Sequence, residues 1–278
     1  MEKEGENVKK KPIIFRAVKS FLDDDVPAMA AQLAFYINTA FFPFIVFLFI
    51  IISSTPLLDE SALYDLIAFL PNQTATIVLD GLRQVTASRT LAVITGVVSI
   101  WSMSNAVATV SRALNKFYDV KENRNILYIR LLGIIFALLI LVTIILNFIL
   151  LVGGSLIGAV MIRYLPQYYA LWHILRFLVP FVLMIVLFAS MYKVMPCVNL
   201  SFKQTLGGAF FTSCLWIVFS SVFSYYVNNF SSYDIIYGSI AGIVVLFTWI
   251  FVTAYIILIG GEVNSFLAGH FSKRKREF

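Results

Sequence analysis

Charged residues are scarce in this 278-residue chain, at 13% against 60% hydrophobic, where a soluble domain carries about 25% charge. That shortage excludes one water-soluble core and makes the bilayer the solvent. Cysteine is nearly absent. Cys197 and Cys214 alone exclude a disulfide framework and are expected as free buried thiols. Histidine is as rare: His173 and His270 are the two present, and the topology read below puts them on opposite sides of the membrane. Carboxylates do not compensate. Asp23, Asp24 and Asp25 are adjacent, but three successive helix positions point in different directions. A metal-dependent nuclease needs a cluster of such groups, so no metal ligands and no catalytic residues are assigned. A phosphate-cradling Gly-rich motif is also missing, no Ser–His–Asp set assembles, and no cofactor is expected. The net charge of +6 follows from membrane topology and calls for no nucleic acid.

What the chain does have is long apolar runs. Residues 1–11 form a basic polar tail. The stretch "PIIFRAVKSFLDDD" places Ile14, Phe15, Val18, Phe21 and Leu22 on one helical face and Arg16, Lys19 and Asp23 opposite, the pattern of an amphipathic helix lying on the membrane surface. Asp24 or Asp25 is placed to cap the next helix, with Pro27 in its first turn. Six spans follow, at about 30–53, 91–110, 127–152, 174–195, 206–227 and 235–261. Each has enough residues at 1.5 Å rise to cross a hydrocarbon core of roughly 30 Å. The run from Ala30 to Ser53 is too long for a signal-peptide core and lacks a small-residue cleavage pattern, so it is expected to remain as an anchor. Residues 54–90 carry two amphipathic periodicities, readable as a cap over the outer face or as helices on the lipid surface. Residues 12–268 make one membrane domain, and 269–278 form a second basic tail. The aromatic stretch "RYLPQYYALWH", which holds His173, reads as an interfacial belt.

Cations set the orientation. Of the 21 Lys and Arg, 17 fall on one set of alternating connections and four on the other. By the positive-inside rule both termini are cytoplasmic. The expected fold is therefore an all-α bundle of six transmembrane helices with an N-terminal amphipathic interfacial helix.

Polar residues inside the spans are the candidate site. Thr95, Ser99, Ser102 and Thr109 lie along one line of the second span, flanked by Asn105; Asn38 and Asn147 add amides at membrane depth. Such groups must find partners or water. Interhelical hydrogen bonds satisfy that need, and so does a shared cavity; Pro43 favours a cavity because it frees a backbone carbonyl. Arg112, Lys116 and Arg130, with Lys121 and Arg124, crowd one connection and read either as a solvated ion-pairing face or as an anionic headgroup site. Glu262 ends the last span, near the inner interface, as a structural ion pair or as a gating carboxylate. Gly154 with Gly158, and Gly238 with Gly242, are spaced for close helix packing, within the chain or against a second copy or partner membrane protein.

Three blocks carry a resemblance over about residues 13–268. "AAQLAFYINTAFFPFIVFLFIII", "WSMSNAVATVSRALNKFYDV" and "YGSIAGIVVLFTWIFVTAYIILIGGEVNS" are similar to the Ala-rich first span, the Trp-Ser…Arg-Ala-Leu-Asn stretch and the Tyr-Gly-Ser…Gly-Glu-(Leu/Val)-Asn ending of the YihY/BrkB family of bacterial membrane proteins. Asn38-Thr39 stands where that family commonly has Leu-Ser, and Gly261 where Ala is common. The resemblance implies a bacterial cytoplasmic-membrane protein. The family long carried a ribonuclease BN label regarded as a misassignment; some members are linked to virulence and some to lipid movement across the inner membrane. It supplies no catalytic residues. The residues then point to transport of a lipid-like or amphipathic substrate, with membrane lipids as partners, anionic on the cytoplasmic side. The alternatives are a non-transporting scaffold and, least supported, a membrane-associated ribonuclease.

Overall fold

The computed structural model describes residues 25–54, 89–148, 150, 154, 158, 162–230 and 241–268. The expected amphipathic helix, residues 55–88 of the expected cap, Gly238 and both tails lie outside the described residues. Six long helices fall within them: α1 (Val26–Ser54), α2 (Arg89–Phe117), α3 (Ile126–Phe148), α4 (Tyr169–Val194), α5 (Phe202–Phe230) and α6 (Ala241–Leu267). Each runs 23 to 29 residues. Five of them, α2 to α6, are long and apolar enough to cross a membrane. The remaining one, α1, has 29 residues and no charged side chain.

Several helices overrun their apolar spans. Helix α2 continues through Arg112 and Lys116 to Phe117, because its last turns are held by protein neighbours rather than lipid. Helix α4 begins at Tyr169, after a 3-10 turn at Pro166–Tyr168. Much of the aromatic belt is thus helical. Leu165 and Pro166 make the break, since a proline disfavours helical backbone in the residue before it. His173 then stands one turn from Tyr169 and from Phe177, with ring centroids 6.2 and 5.4 Å away.

Local signals explain the ends at the short connections. Asp119 takes a left-handed backbone (φ 55°), a conformation Asp tolerates better than most residues. There the amides of Asp119 and Val120 turn back to the carbonyls of Lys116 and Asn115, at 3.1 and 2.9 Å, closing α2. Asn125 caps α3 through its side chain (3.2 Å to the Leu127 N–H). Ser201 and Gln204 form a capping box at α5, the Gln204 amide oxygen accepting from the Ser201 N–H at 2.8 Å.

Helix α1 packs chiefly on α2 and also on α6; α5 lies against α4 and α6; α3 lies on α2. The start of α1 and the end of α6 share one end of the bundle with the α2–α3 and α4–α5 connections, because Lys116 bonds Asp25 and Ser265 bonds the Phe117 carbonyl. The core gathers at this end. Ala30, Ala34, Ala106, Ala113, Ala189, Ala209 and Ala254 are buried at the helix contacts, around Leu33, Leu114, Tyr192 and Leu258. Small side chains let backbones approach where apolar lipid offers no hydrophobic drive. The flanks facing away carry Val93, Val97, Leu138 and Val222, all exposed, as lipid-facing positions should be.

Helices α5 and α6 approach each other closely. A Cβ on Gly260 would overlap Thr212 and Tyr192, and one on Gly208 would overlap Asn264. At Gly242 nothing lies within 4 Å of that position. Gly260→Ala is therefore expected to destabilise the bundle by about 1–3 kcal/mol, the usual cost of overpacking, while Gly242→Ala stays within about 0.5 kcal/mol. Thermal unfolding of both variants in detergent checks this.

Candidate functional site

The residues at the end of α6, "GGEVNS", organise the buried polar groups. Asn264 is fully buried. Its Oδ1 accepts from the Gly208 amide of α5 at 3.2 Å, and its Nδ2 donates to the Tyr118 hydroxyl, beyond α2, at 2.8 Å. Ser265 donates to the Phe117 carbonyl at 2.7 Å. One to two turns deeper, the fully buried Tyr192 of α4 donates to the Ile257 carbonyl of α6 at 2.7 Å and shares a hydrogen bond with Thr212 of α5 at 2.8 Å. Four helices are tied by side chains that would each be costly if unmet in an apolar surround. Burial pushes the Tyr118 phenol up to about 12, against the opposing effect of the Asn264 hydrogen bond.

A second network joins the two connections beside it. Glu122 and Arg124 form an ion pair (2.7 Å) with both side chains mostly buried. The guanidinium also donates to Ser111 Oγ (2.7 Å) and to the Val194 and Met195 carbonyls (3.1 and 2.6 Å), meeting acceptors that α4 leaves open at its end. Asn115 donates to Glu122 (2.9 Å) and accepts from the Cys197 amide (2.6 Å). The Cys197 thiol donates to Glu122 Oε1 at 3.0 Å. The Arg124 guanidinium holds the Glu122 carboxyl well below the usual carboxylate range, and Glu122 in turn raises Arg124. The arrangement is a clasp between the α2–α3 and α4–α5 connections. Cys197 and Cys214 are free thiols, as expected, but half-buried rather than buried.

The anticipated site residues separate. Thr95, Ser99, Ser102 and Thr109 are all buried, so the stripe faces the protein interior. Thr95, Ser99 and Thr109 donate to carbonyls one turn back, at 2.7, 2.6 and 3.0 Å. Asn147 does the same to Thr143 (2.8 Å). Asn105 instead accepts from Arg130 at 2.7 Å. Asn38 lies on α1, its Oδ1 buried with no hydrogen-bond partner. Helix α1 continues through Pro43, whose missing N–H leaves the Thr39 carbonyl without its helical partner. Glu262 is half-buried, with both carboxylate oxygens inside.

Of the cations, Arg112 donates to Gln32 (3.3 Å) and Thr109 (2.9 Å), and Lys116 pairs with Asp25 at 2.6 Å. Gly154 and Gly158 pack inside the chain: Trp172 donates to the Gly154 carbonyl at 2.9 Å, and a pocket of about 230 Å³ lies among both glycines, Trp172, His173 and Arg176. A second pocket of about 250 Å³, lined by Ser220, Phe223 and Trp249 among others, lies between α5 and α6. Neither touches Asn38, Asn105, Asn147 or Glu262. Among the described residues no three His, Cys, Asp or Glu side chains come together.

Sequence reasoning missed Asn115, Tyr118, Tyr192, Cys197 and Asn264 as partners. Each is an ordinary residue whose role needs helix adjacency. Because the folded Glu122 pKa is depressed, the clasp contributes stability above the unfolded carboxylate value of about 4.3 and loses it as pH falls toward the folded one. Unfolding temperature measured from about pH 7 down to pH 3 should fall in wild type, and Glu122→Gln should flatten that fall while lowering the neutral-pH plateau. Arg124→Gln should cost about 2 kcal/mol at neutral pH, having stranded two carbonyls and a carboxylate.

The sequence model of the Virulence factor BrkB family matches residues 17–277. The ribonuclease-like protein YfkH of Bacillus subtilis (strain 168) is 30% identical over 252 residues, covering 89% of this chain and 90% of that one. A UPF0761 membrane protein of Legionella pneumophila (strain Corby) is 26% identical over 264 residues, 92% of this chain and 62% of its own. A UPF0761 membrane protein of Psychromonas ingrahamii is 39% identical over 90 residues, about a third of either chain. No solved structure matches the chain. With a family match running nearly end to end and a relative aligned along nine-tenths of its own length, the chain belongs to the Virulence factor BrkB family and is a multi-pass membrane protein.

Proposed function

We propose that the protein moves a lipid-like or amphipathic substrate across the bacterial cytoplasmic membrane, with the α2–α3 and α4–α5 connections in the cytoplasm. The cation asymmetry supports that orientation. The observation that carries the transport reading is a set of unmet groups. Asn38 Oδ1 on α1, Ser104 Oγ on α2 and Thr253 Oγ1 on α6 are buried without hydrogen-bond partners. Helix α1 packs on α6, so Asn38 and Thr253 stand on neighbouring helices, while Ser104 lies against Gly133 of α3. Most buried hydroxyls among the described residues are satisfied along their own helix, so two open hydroxyls and an open amide oxygen are a standing cost. A passing polar head or water would meet that cost at Asn38 and Thr253, and so the α1–α6 seam is the path. The chain carries no nucleotide-binding motif; a gradient or a partner then drives movement, or it is passive.

One observation favours a second reading, a scaffold in a membrane complex: the open space at Gly242 suits a second helix. The ribonuclease-like name belongs to the Bacillus subtilis relative and finds no clustered donors here among the described residues.

Flux in proteoliposomes over a panel of lipids and amphipathic solutes separates the readings. Asn38→Leu should lower flux at least about tenfold, while stability stays level or rises by about 1–3 kcal/mol as an unmet amide is removed. Unchanged flux in Asn38→Leu, or wild-type flux equal to that of empty vesicles, would sink the transport reading.

A further inference from the structure

The strongest unexplained charge in the bundle is Arg130. It sits in the second turn of α3, where Ile126 and Leu127 are already exposed apolar residues. An arginine there ordinarily extends back toward the nearby interface, since helical side chains lean toward their own N-terminus. Arg130 runs the other way. The connection 118–125 makes α2 and α3 an antiparallel pair, and a Cβ on Gly133 would lie 2.7 Å from the Ser104 backbone, which fixes their register. By that register Arg130 is level with about residue 107 of α2. Its guanidinium nevertheless donates to Asn105 Oδ1 at 2.7 Å and stacks 4.1 Å from the centroid of the Trp101 ring. The charge is thus carried roughly 10 Å past the start of α3, at 1.5 Å per residue.

No described carboxylate neutralises it. Neither of the two ion pairs among the described residues includes Arg130. Of five guanidinium N–H donors, one meets Asn105, and among the described residues no other acceptor lies within hydrogen-bond distance. Trp101 covers one face of the cation but is itself 60% exposed, on a flank with Val97, Val98 and Leu131 that faces lipid. A cation held at membrane depth marks a functional site. Here it opens sideways toward acyl chains, not inward along the α1–α6 seam.

We infer that Arg130, Trp101 and Asn105 form a lateral binding site for the phosphate of an anionic phospholipid. The free edge of the guanidinium takes the phosphate oxygens in its two-pronged geometry. Trp101 fixes the plane of the fork and packs beside the glycerol and upper acyl chains, while Asn105 holds the fork away from the interface. A lipid is the fitting occupant because Arg130 and Trp101 lie among the exposed apolar side chains Val97, Val98 and Leu131. The site does not depend on the transport reading: it binds whether or not anything crosses.

The test is native mass spectrometry of the full chain released from nanodiscs of phosphatidylcholine with graded phosphatidylglycerol. Wild type should retain phosphatidylglycerol about tenfold more strongly than R130Q, the effect of losing a charged hydrogen-bond donor. Phosphatidylcholine should be retained equally by both. Should R130Q not fold, Trp101→Leu keeps the bond to Asn105 and should weaken retention about threefold by removing the stacked ring. Equal phosphatidylglycerol retention in wild type and the folded variant would overturn the assignment. Displacement of the lipid by inorganic phosphate would overturn its lipid part, leaving a free-phosphate site.

Discussion

The bundle depends on one requirement: at the end of α6, polar groups must be met by other helices, because lipid meets none of them. Asn264 satisfies α5 with one atom and the end of α2 with another. Tyr192 adds α4 to the same assembly. These bonds demand near contact between α5 and α6, and glycine at 208 and 260 is what permits it. Alanine at the remaining crossings follows the same logic. The Gly-Gly-Glu-Val-Asn-Ser ending is thus first a helix-crossing device, with small residues for approach and Asn and Ser for bonding.

That device divides the molecule. The end holding both short connections is densely packed and bonded, clasped by Arg124 and Glu122. Along the rest of the bundle the described helices show more of their surface, and it is apolar. The unmet groups on α1, α2 and α6 lie along helices anchored at the bonded end. If the proposed transport holds, local openings would be drawn from outside that bonded end, since they come from the less stable regions of a structure.

The fold class was readable from composition and run length, because spanning helices must be long, apolar and internally bonded. The burial of the Thr95–Thr109 stripe was readable too, since polar residues at helical spacing cannot face acyl chains. Partners were not readable. Arg124 and Arg130 stand six residues apart in one cationic connection, yet one turns into a clasp and the other onto Trp101; sequence gives both only a positive charge. Asn38, Asn105 and Asn147 looked equivalent as amides at depth, yet one is unmet, one takes an arginine and one bonds its own helix. Their difference lies in which helix happens to be opposite, and that needs the three-dimensional register. The Ser201–Gln204 capping box was present as a motif and escaped notice beside the stronger hydropathy pattern. The Lys116–Asp25 pair shows the limit of charge reading: it is solvent-exposed on one side and worth at most about 1 kcal/mol.

Hydrogen exchange on Asn264→Ala in nanodiscs addresses the shared base most directly. In wild type, amides of 104–118, 205–213 and 254–265 should be the slowest in the chain. In the variant all three segments should speed up together, because one side chain couples the helices that carry them. Acceleration confined to 254–265, or no acceleration at all, would contradict the account.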